Sequence, residues 1–199
     1  MKSETTEQHK KISSDDITCG IITLSDSRKS EKLDLSGQII SEEIESRYTL
    51  KAKSLIPDEK DELTDTINKM INEGIDVILT TGGTGLDARD ITVETVESLF
   101  EKKIDGFGEL FRFKSYEEIG AGALLSRATA GVYKKTLIFS MPGSPNAVKT
   151  ALSLIIDELP HFVHHVNKWW NFFHHFFNQK IHWQLLKVLR LFLLFQTLQ

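Results

Sequence analysis

The sequence predicts an α/β fold: a three-layer sandwich with a mostly parallel central sheet, helices on both faces and a small β-hairpin. Three observations carry this. Short apolar runs alternate with stretches whose apolar residues recur at helical spacing, the pattern of strands alternating with amphipathic helices. Loops rich in Gly, Pro, Ser and Asp follow the apolar runs directly. A turn-like Tyr133-Lys134-Lys135 separates two short strand-like segments.

The elements follow in order. Ile17 to Leu24, centred on Ile21 and Ile22, reads as a buried strand, and the polar Ser25 to Lys32 as the loop after it. Between Leu35 and Tyr48 the residues Leu35, Ile39, Ile40 and Ile44 share one helical face. Lys51 to Ile56 is a second strand, ended by Pro57. Asp61 and Glu62 open a helix with Leu63, Ile67, Met70 and Ile71 inward, closed near Gly74. Ile75 to Thr80 is the most strongly apolar strand and is expected at the centre of the sheet. Thr92 reads as the N-cap of a helix reaching Phe100, Gly106-Phe107-Gly108 as a break, and Leu110 to Glu118 as a further helix. Ala123 to Val132 alternates loosely ahead of the hairpin turn, and Thr136 to Phe139 is the next strand. After the tight loop Met141 to Pro145, Asn146 to Leu159 forms the last helix, with Val148, Leu152, Ile155 and Ile156 inward.

In a parallel sheet the loops after successive strands fall on one edge. That edge would gather Ser25-Asp26, Pro57-Asp58, Thr81 to Asp90 and Ser140 to Pro145. The richest of these is Thr81-Gly82-Gly83-Thr84-Gly85, whose glycines let the backbone approach a ligand and turn N–H groups toward it. Gly85 is followed by Leu86 rather than by the lysine of a Walker loop, and no third glycine completes a dinucleotide fingerprint. A glycine loop alone is also an ordinary turn; the following Asp-Ala-Arg-Asp strengthens the ligand reading. Asp58 and Asp90 lie just past strand ends, where two carboxylates suit Mg²⁺ bridged to phosphate oxygens. Each also has a plain reading, Asp58 as a helix-start acid beside Pro57 and Asp90 as a charge favoured by the next helix dipole. Ser25, Asp26 and Ser27 suit a phosphate or a simple turn. Ser126-Arg127 suits an oxyanion or a solvated arginine, and Pro142-Gly143-Ser144 a rigid loop opening a helix.

Composition narrows the class. The chain has 199 residues, 40% hydrophobic and 26% charged, which is globular in character. A net charge of -4 argues against a protein devoted to nucleic acid. Cys19 is the single cysteine and reads as a small buried hydrophobe. The charged segment 1–16 lacks an apolar signal core and reads as a polar N-terminal extension, so a cytoplasmic location is expected. From Lys168 onward there are four basic residues, no acid and nine of the 18 aromatics, which leaves -8 on residues 1–167. This break marks 17–167 as the domain and 168–199 as an atypical aromatic, basic tail. The run Leu185 to Phe195 is too short and interrupted to span a bilayer. The tail is read as a segment without a selected role, a packing element or, least favoured, a membrane contact. Six of the seven histidines lie beyond residue 160, and with no cysteine among them they are not read as a metal site.

The motifs Thr80 to Gly85, Arg89-Asp90-Ile91-Thr92, Gly106-Phe107-Gly108-Glu109, Leu125-Ser126-Arg127 and Met141-Pro142-Gly143-Ser144 resemble the molybdenum cofactor biosynthesis protein B family and the related molybdopterin adenylyltransferases. Ser25-Asp26-Ser27 and Leu55-Ile56-Pro57-Asp58-Glu59 fit the same pattern in the same order, so the resemblance covers roughly residues 17–167. It implies a molybdopterin-binding domain assembled as a trimer or hexamer, working with other molybdenum cofactor biosynthesis proteins. It implies Mg²⁺-ATP-dependent adenylation of molybdopterin with release of pyrophosphate. On the matching positions Asp58 and Asp90 become the functional and metal-holding acids. Gly82, Gly83, Thr84 and Gly85, with Thr81 before them, become the nucleotide and pterin-phosphate loop. Ser25, Asp26, Ser126, Pro142, Gly143 and Ser144 line the same pocket. The alternatives are a pterin-binding scaffold without catalysis and a nucleotide-using enzyme of the related competence-damage type.

Overall fold

The computed structural model describes residues 17–26 and 33–170. The expected N-terminal extension over 1–16, Ser27 of the first loop, and the tail from 171 lie outside the described residues. Contacts divide the chain into one unit ending at Val166 and a second beginning at Asn167. In the second, residues 167–170 are helical and the Trp169 and Trp170 rings meet edge-on at 6.2 Å.

Among the described residues six strands form one mixed sheet: β1 (Thr18–Leu24), β2 (Thr49–Ile56), β3 (Val77–Thr81), β4 (Lys102–Lys103), β5 (Thr129–Tyr133) and β6 (Thr136–Met141). Their order is β2-β1-β3-β6-β5-β4. The first four in this order run parallel, and β5 is antiparallel to both β6 and β4. The β5–β6 hairpin turns at Lys134, which takes a positive φ of 54°.

The register decides where the loops go. Leu24 pairs with Ile56, Thr23 with Thr81, and Thr81 with Met141. The four parallel strands therefore end level, and Ser25, Pro57, Gly82 and Pro142 leave the sheet side by side at its C-terminal edge.

Among the described residues the helices are α1 (Leu35–Glu45), α2 (Lys60–Asn72), α3 (Thr92–Leu99), α4 (Asp105–Ile119) and α5 (Pro145–Ile155), and a further helical run begins at residue 159. α2 packs with α3, while α5 packs with both α1 and α4, giving the two helical layers. Alternate strand residues serve opposite faces. Ile22, Leu24, Ile78 and Ile138 join Leu63, Ile67 and Met70 of α2 and Val96 of α3 in one core. On the opposite layer the Phe107 and Phe139 rings meet edge-on at 5.2 Å. Val148, Leu152, Ile155 and Ile156 are buried as their spacing predicts, and Cys19 is fully buried.

Local hydrogen bonding alters four expectations. Leu35 faces out rather than in, at 58% exposure. The fully buried Asp34 caps α1, accepting from Thr23 Oγ1 at 2.6 Å and from the Gly37 amide at 2.9 Å, and this turns Ser36 and Gly37 inward instead. The N-cap of α3 is Ile91; Thr92 is one residue inside the helix, with its hydroxyl committed to the Gly82 carbonyl. Gly106 to Gly108 continue α4 instead of breaking it. A Cβ at Gly108 would sit 2.6 Å from the Ala128 carbonyl, so this glycine serves close packing. Residues 120–125 form a 3-10 turn, and the strand expected from Ala123 begins only at Thr129.

Candidate functional site

The site grows from the glycine loop after β3. Gly82 has φ +99° and Gly83 φ +61°, conformations that L side chains rarely adopt. A Cβ on Gly82 would lie 2.2 Å from the Leu24 carbonyl, so the loop runs flush against the end of β1. The Gly82 amide donates to the Met141 carbonyl at 3.1 Å. The Thr92 hydroxyl donates to the Gly82 carbonyl at 2.9 Å, and the Thr92 amide to the Gly83 carbonyl at 2.9 Å. Thr81 spends its hydroxyl on the Pro142 carbonyl at 3.0 Å, which joins the two loops rather than presenting a ligand group. Among the described residues the amides of Gly83, Thr84 and Gly85 take no part in the bonds that hold the loop.

Both candidate acids press on this loop. A Cβ on Gly83 would stand 2.6 Å from Asp58 Oδ1, and one on Gly85 2.6 Å from Asp90 Oδ2. Asp58 and Asp26 are tied reciprocally: each carboxylate accepts the other's backbone amide at 3.1 Å. Arg89 grips Asp26 through two nitrogens, at 2.8 and 3.0 Å, and Glu59 through the third at 2.8 Å. The Arg89 hydrogen bond holds the Asp26 carboxyl below the usual carboxylate range. Asp58 moves the other way: burial raises its pKa, and the neighbouring Asp26 and Asp90 charges add to that. Asp58 Oδ1 is buried with no hydrogen-bond partner among the described residues. Asp90 Oδ2 accepts the Asp87 amide at 2.9 Å.

Beside the loop opens a cleft of about 350 Å³. Gly82 to Gly85, Asp90, Ser126 and Pro142 to Ser144 line it. The Ser144 hydroxyl caps α5 by accepting the Ala147 amide at 3.3 Å, so the positive end of that helix faces the cleft. Ser25, Asp26 and Asp58 do not line this cleft; they stand on the adjoining rim behind Gly83. Asp26 is taken by Arg89, which removes it from the groups free to meet a ligand directly.

Sequence reasoning missed the opposite wall. Phe111, Ser115 and Ile119 of α4, with Ala123 and Leu125 of the 3-10 turn, give the cleft a largely apolar side. The signal was present in the small-residue run Gly120-Ala121-Gly122-Ala123 after a mixed helix, which marks a tight turn beside a cavity. Arg127 also differs from its expected choices of oxyanion ligand or solvated side chain. It pairs closely with Glu94 and reaches the Thr84 and Asp90 carbonyls at 3.3 and 3.2 Å. The Arg127 contact lowers the Glu94 pKa.

A rim with clustered carboxylates, unspent loop amides and a helix N-terminus beside an apolar wall suits a flat organic ligand carrying phosphate. Comparison with known proteins agrees. Residues 20–161 match the family described as a probable molybdopterin binding domain. A Pyrococcus furiosus protein named molybdopterin adenylyltransferase is 42% identical over 167 residues, covering 81% of this chain and 98% of that protein. A Bacillus subtilis protein named molybdenum cofactor biosynthesis protein B is 44% identical over 166 residues, covering 81% and 97%. The crystal structure of the tungsten cofactor synthesizing protein MoaB from Pyrococcus furiosus superposes with a TM-score of 0.73 at 42% identity, covering 77% of this chain and 98% of that one.

Proposed function

The chain belongs to the molybdopterin-binding domain family of molybdenum cofactor biosynthesis, and from that premise we propose that it is a molybdopterin adenylyltransferase. In this reading an oxygen of the molybdopterin phosphate attacks the α-phosphorus of ATP. The bond from that phosphorus to the bridging oxygen breaks, and pyrophosphate leaves. The observation that carries the reading is the convergence of Asp58 on Gly83 and of Asp90 on Gly85. Unused amides and two carboxylates meet at one loop, beside a cleft with an apolar wall.

The reaction brings several negative charges together, and positioning plus electrostatic stabilisation supply most of the catalysis. The amides of Gly83, Thr84 and Gly85 and the capped N-terminus of α5 present fixed positive dipoles to phosphate. The wall from Phe111 to Leu125 takes the pterin ring. Asp58 and Asp90 would hold Mg²⁺, which when bound neutralises charge between the phosphates. The donor set fits: Asp58 Oδ1 is a buried oxygen lacking a partner among the described residues, in a neighbourhood crowded by Asp26 and Asp90. Among the described residues no three metal-binding side chains gather, and Mg²⁺ commonly pairs one or two carboxylates with substrate phosphates and water.

The same surface supports the assembly proposed for the chain, a homotrimer or hexamer working with other proteins of the pathway. Leu110, Phe113, Tyr116 and Leu124, on α4 and the turn after it, are 57–77% exposed. An apolar patch of this kind commonly marks a protein contact.

The test is incubation with molybdopterin, Mg²⁺ and ATP, followed by detection of adenylated pterin and pyrophosphate. Transfer is expected to fall on the order of 10²–10³-fold in Asp90→Asn. Tight pterin binding without transfer would establish the scaffold reading instead.

A further inference from the structure

Among the described residues Arg127 is one of two arginines at the glycine loop, and its bonding differs from that of Arg89. Arg89 meets only carboxylates. Arg127 arrives from the opposite side, on the segment entering β5, and its side chain is 27% exposed. Its Nε donates to the Thr84 carbonyl at 3.3 Å, at one end of the loop. Its Nη2 donates to the Asp90 carbonyl at 3.2 Å, at the other end. The outer edge of the fork faces the Glu94 carboxylate in the first turn of α3. One planar group therefore spans residues 84 to 90 and ties that span to the following helix. Asp87 and Asp90 close the interior of the same loop, with the Asp90 amide donating to the Asp87 carbonyl at 2.9 Å.

We infer that Arg127 is a positioning residue that sets the span of the anion-binding loop, and not a ligand for the phosphate itself. The inference rests on the proposed function only for the identity of the anion. An arginine in an anion site presents its donors to the ligand, whereas this one aims them at carbonyls of the loop and at Glu94. With its carbonyls held outward, the loop keeps the amides of Gly83 to Gly85 directed to the cleft side. Asp90 is fixed in the same way, because its carbonyl is one of the two anchors. A lysine offers one point charge and no fork, so it cannot bridge two carbonyls and a carboxylate together.

The experiment compares Arg127→Lys and Glu94→Gln with the wild-type full chain in two measurements. The first is amide hydrogen exchange without any ligand. Arg127→Lys is expected to speed exchange of the bonded Asp87, Arg89 and Asp90 amides at least tenfold, with β3 and β6 unchanged. The second is steady-state adenylation. Arg127→Lys is expected to raise the half-saturating molybdopterin concentration at least fivefold, more than it lowers kcat. Glu94→Gln, which leaves the carbonyl contacts in place, is expected to change both within twofold. Unchanged exchange in Arg127→Lys overturns the proposal. So does faster exchange throughout β3 and β6, which would make the residue a general stabiliser. Tighter binding in Glu94→Gln also overturns it, because that outcome would make Arg127 an anion ligand restrained by Glu94. The exchange measurement stands without any substrate, so it separates failure here from failure of the adenylation reading.

Discussion

Replacing Asp58 by asparagine is expected to stabilise the metal-free protein while disabling it. Asp58 Oδ2 accepts the Asp26 amide at 3.1 Å, a role that an asparagine carbonyl can keep. Oδ1 is buried with no partner among the described residues; an asparagine amide there is unpaired too but uncharged, and burying an unpaired charge costs more than the about 1–3 kcal/mol of an unsatisfied neutral group. Asparagine also removes a charge that stands close to Asp26 and Asp90. Taking the lower end of that range, the variant gains about 1 kcal/mol, or a Tm rise of roughly 2–4 °C for a domain of this size. The sign can be followed with pH. Burial and like charges place the folded pKa of Asp58 above its unfolded value. Stability linked to this group is therefore present below the unfolded pKa and is lost as pH rises through the folded one. The gap between variant and wild type should thus be open at neutral pH and close as pH falls below about 4. Thermal and denaturant unfolding in chelator measure it, and repetition with Mg²⁺ should stabilise the wild type but not the variant. A variant less stable than wild type by about 1 kcal/mol or more in chelator would refute the reasoning.

Further expectations follow from single contacts. Gly83→Ala places a Cβ 2.4 Å from Thr92 Oγ1 and 2.6 Å from Asp58 Oδ1 at φ +61°; it should cost about 1–3 kcal/mol in unfolding assays and abolish transfer. Gly131→Ala drives a Cβ to 2.4 Å from the Phe100 ring, so it should destabilise by about 1–3 kcal/mol while the folded fraction keeps its activity. Burial, aided by the Asp76 charge, pushes the Cys19 thiol from 9.0 up to about 12. Its folded pKa is the higher one, so the linked stability is full below pH 9 and is lost as pH rises toward 12. Near neutral pH a thiol reagent should label Cys19 only after denaturation.

The parallel half of the sheet was legible because its strands are short, mostly apolar and followed directly by Ser25, Pro57, Gly82 and Pro142. With strand order and register fixed, the loops carrying Asp58, Gly83, Asp90 and Gly143 had to share one edge. What stayed hidden depends on bonds between residues far apart in sequence. The phase of α1 follows from the Asp34 bond to Thr23, which no apolar pattern encodes. Arg127 finds its partners about forty residues earlier in the chain, at Thr84, Asp90 and Glu94. β4 consists of two exposed lysines and lacks any apolar signature. The cleft wall escaped because α4 mixes buried Phe111 with exposed Phe113 and Ile119, which blurs the inward stripe that identifies a helix face.

The most direct test is a crystal structure of the protein with molybdopterin and a non-hydrolysable ATP analogue in Mg²⁺. The pterin phosphate is expected within hydrogen-bond reach of the Gly83 to Gly85 amides, with Asp58 and Asp90 on the metal and the ring against Phe111 and Leu125. Both ligands bound on another face, with the glycine loop and its two carboxylates untouched, would contradict the account.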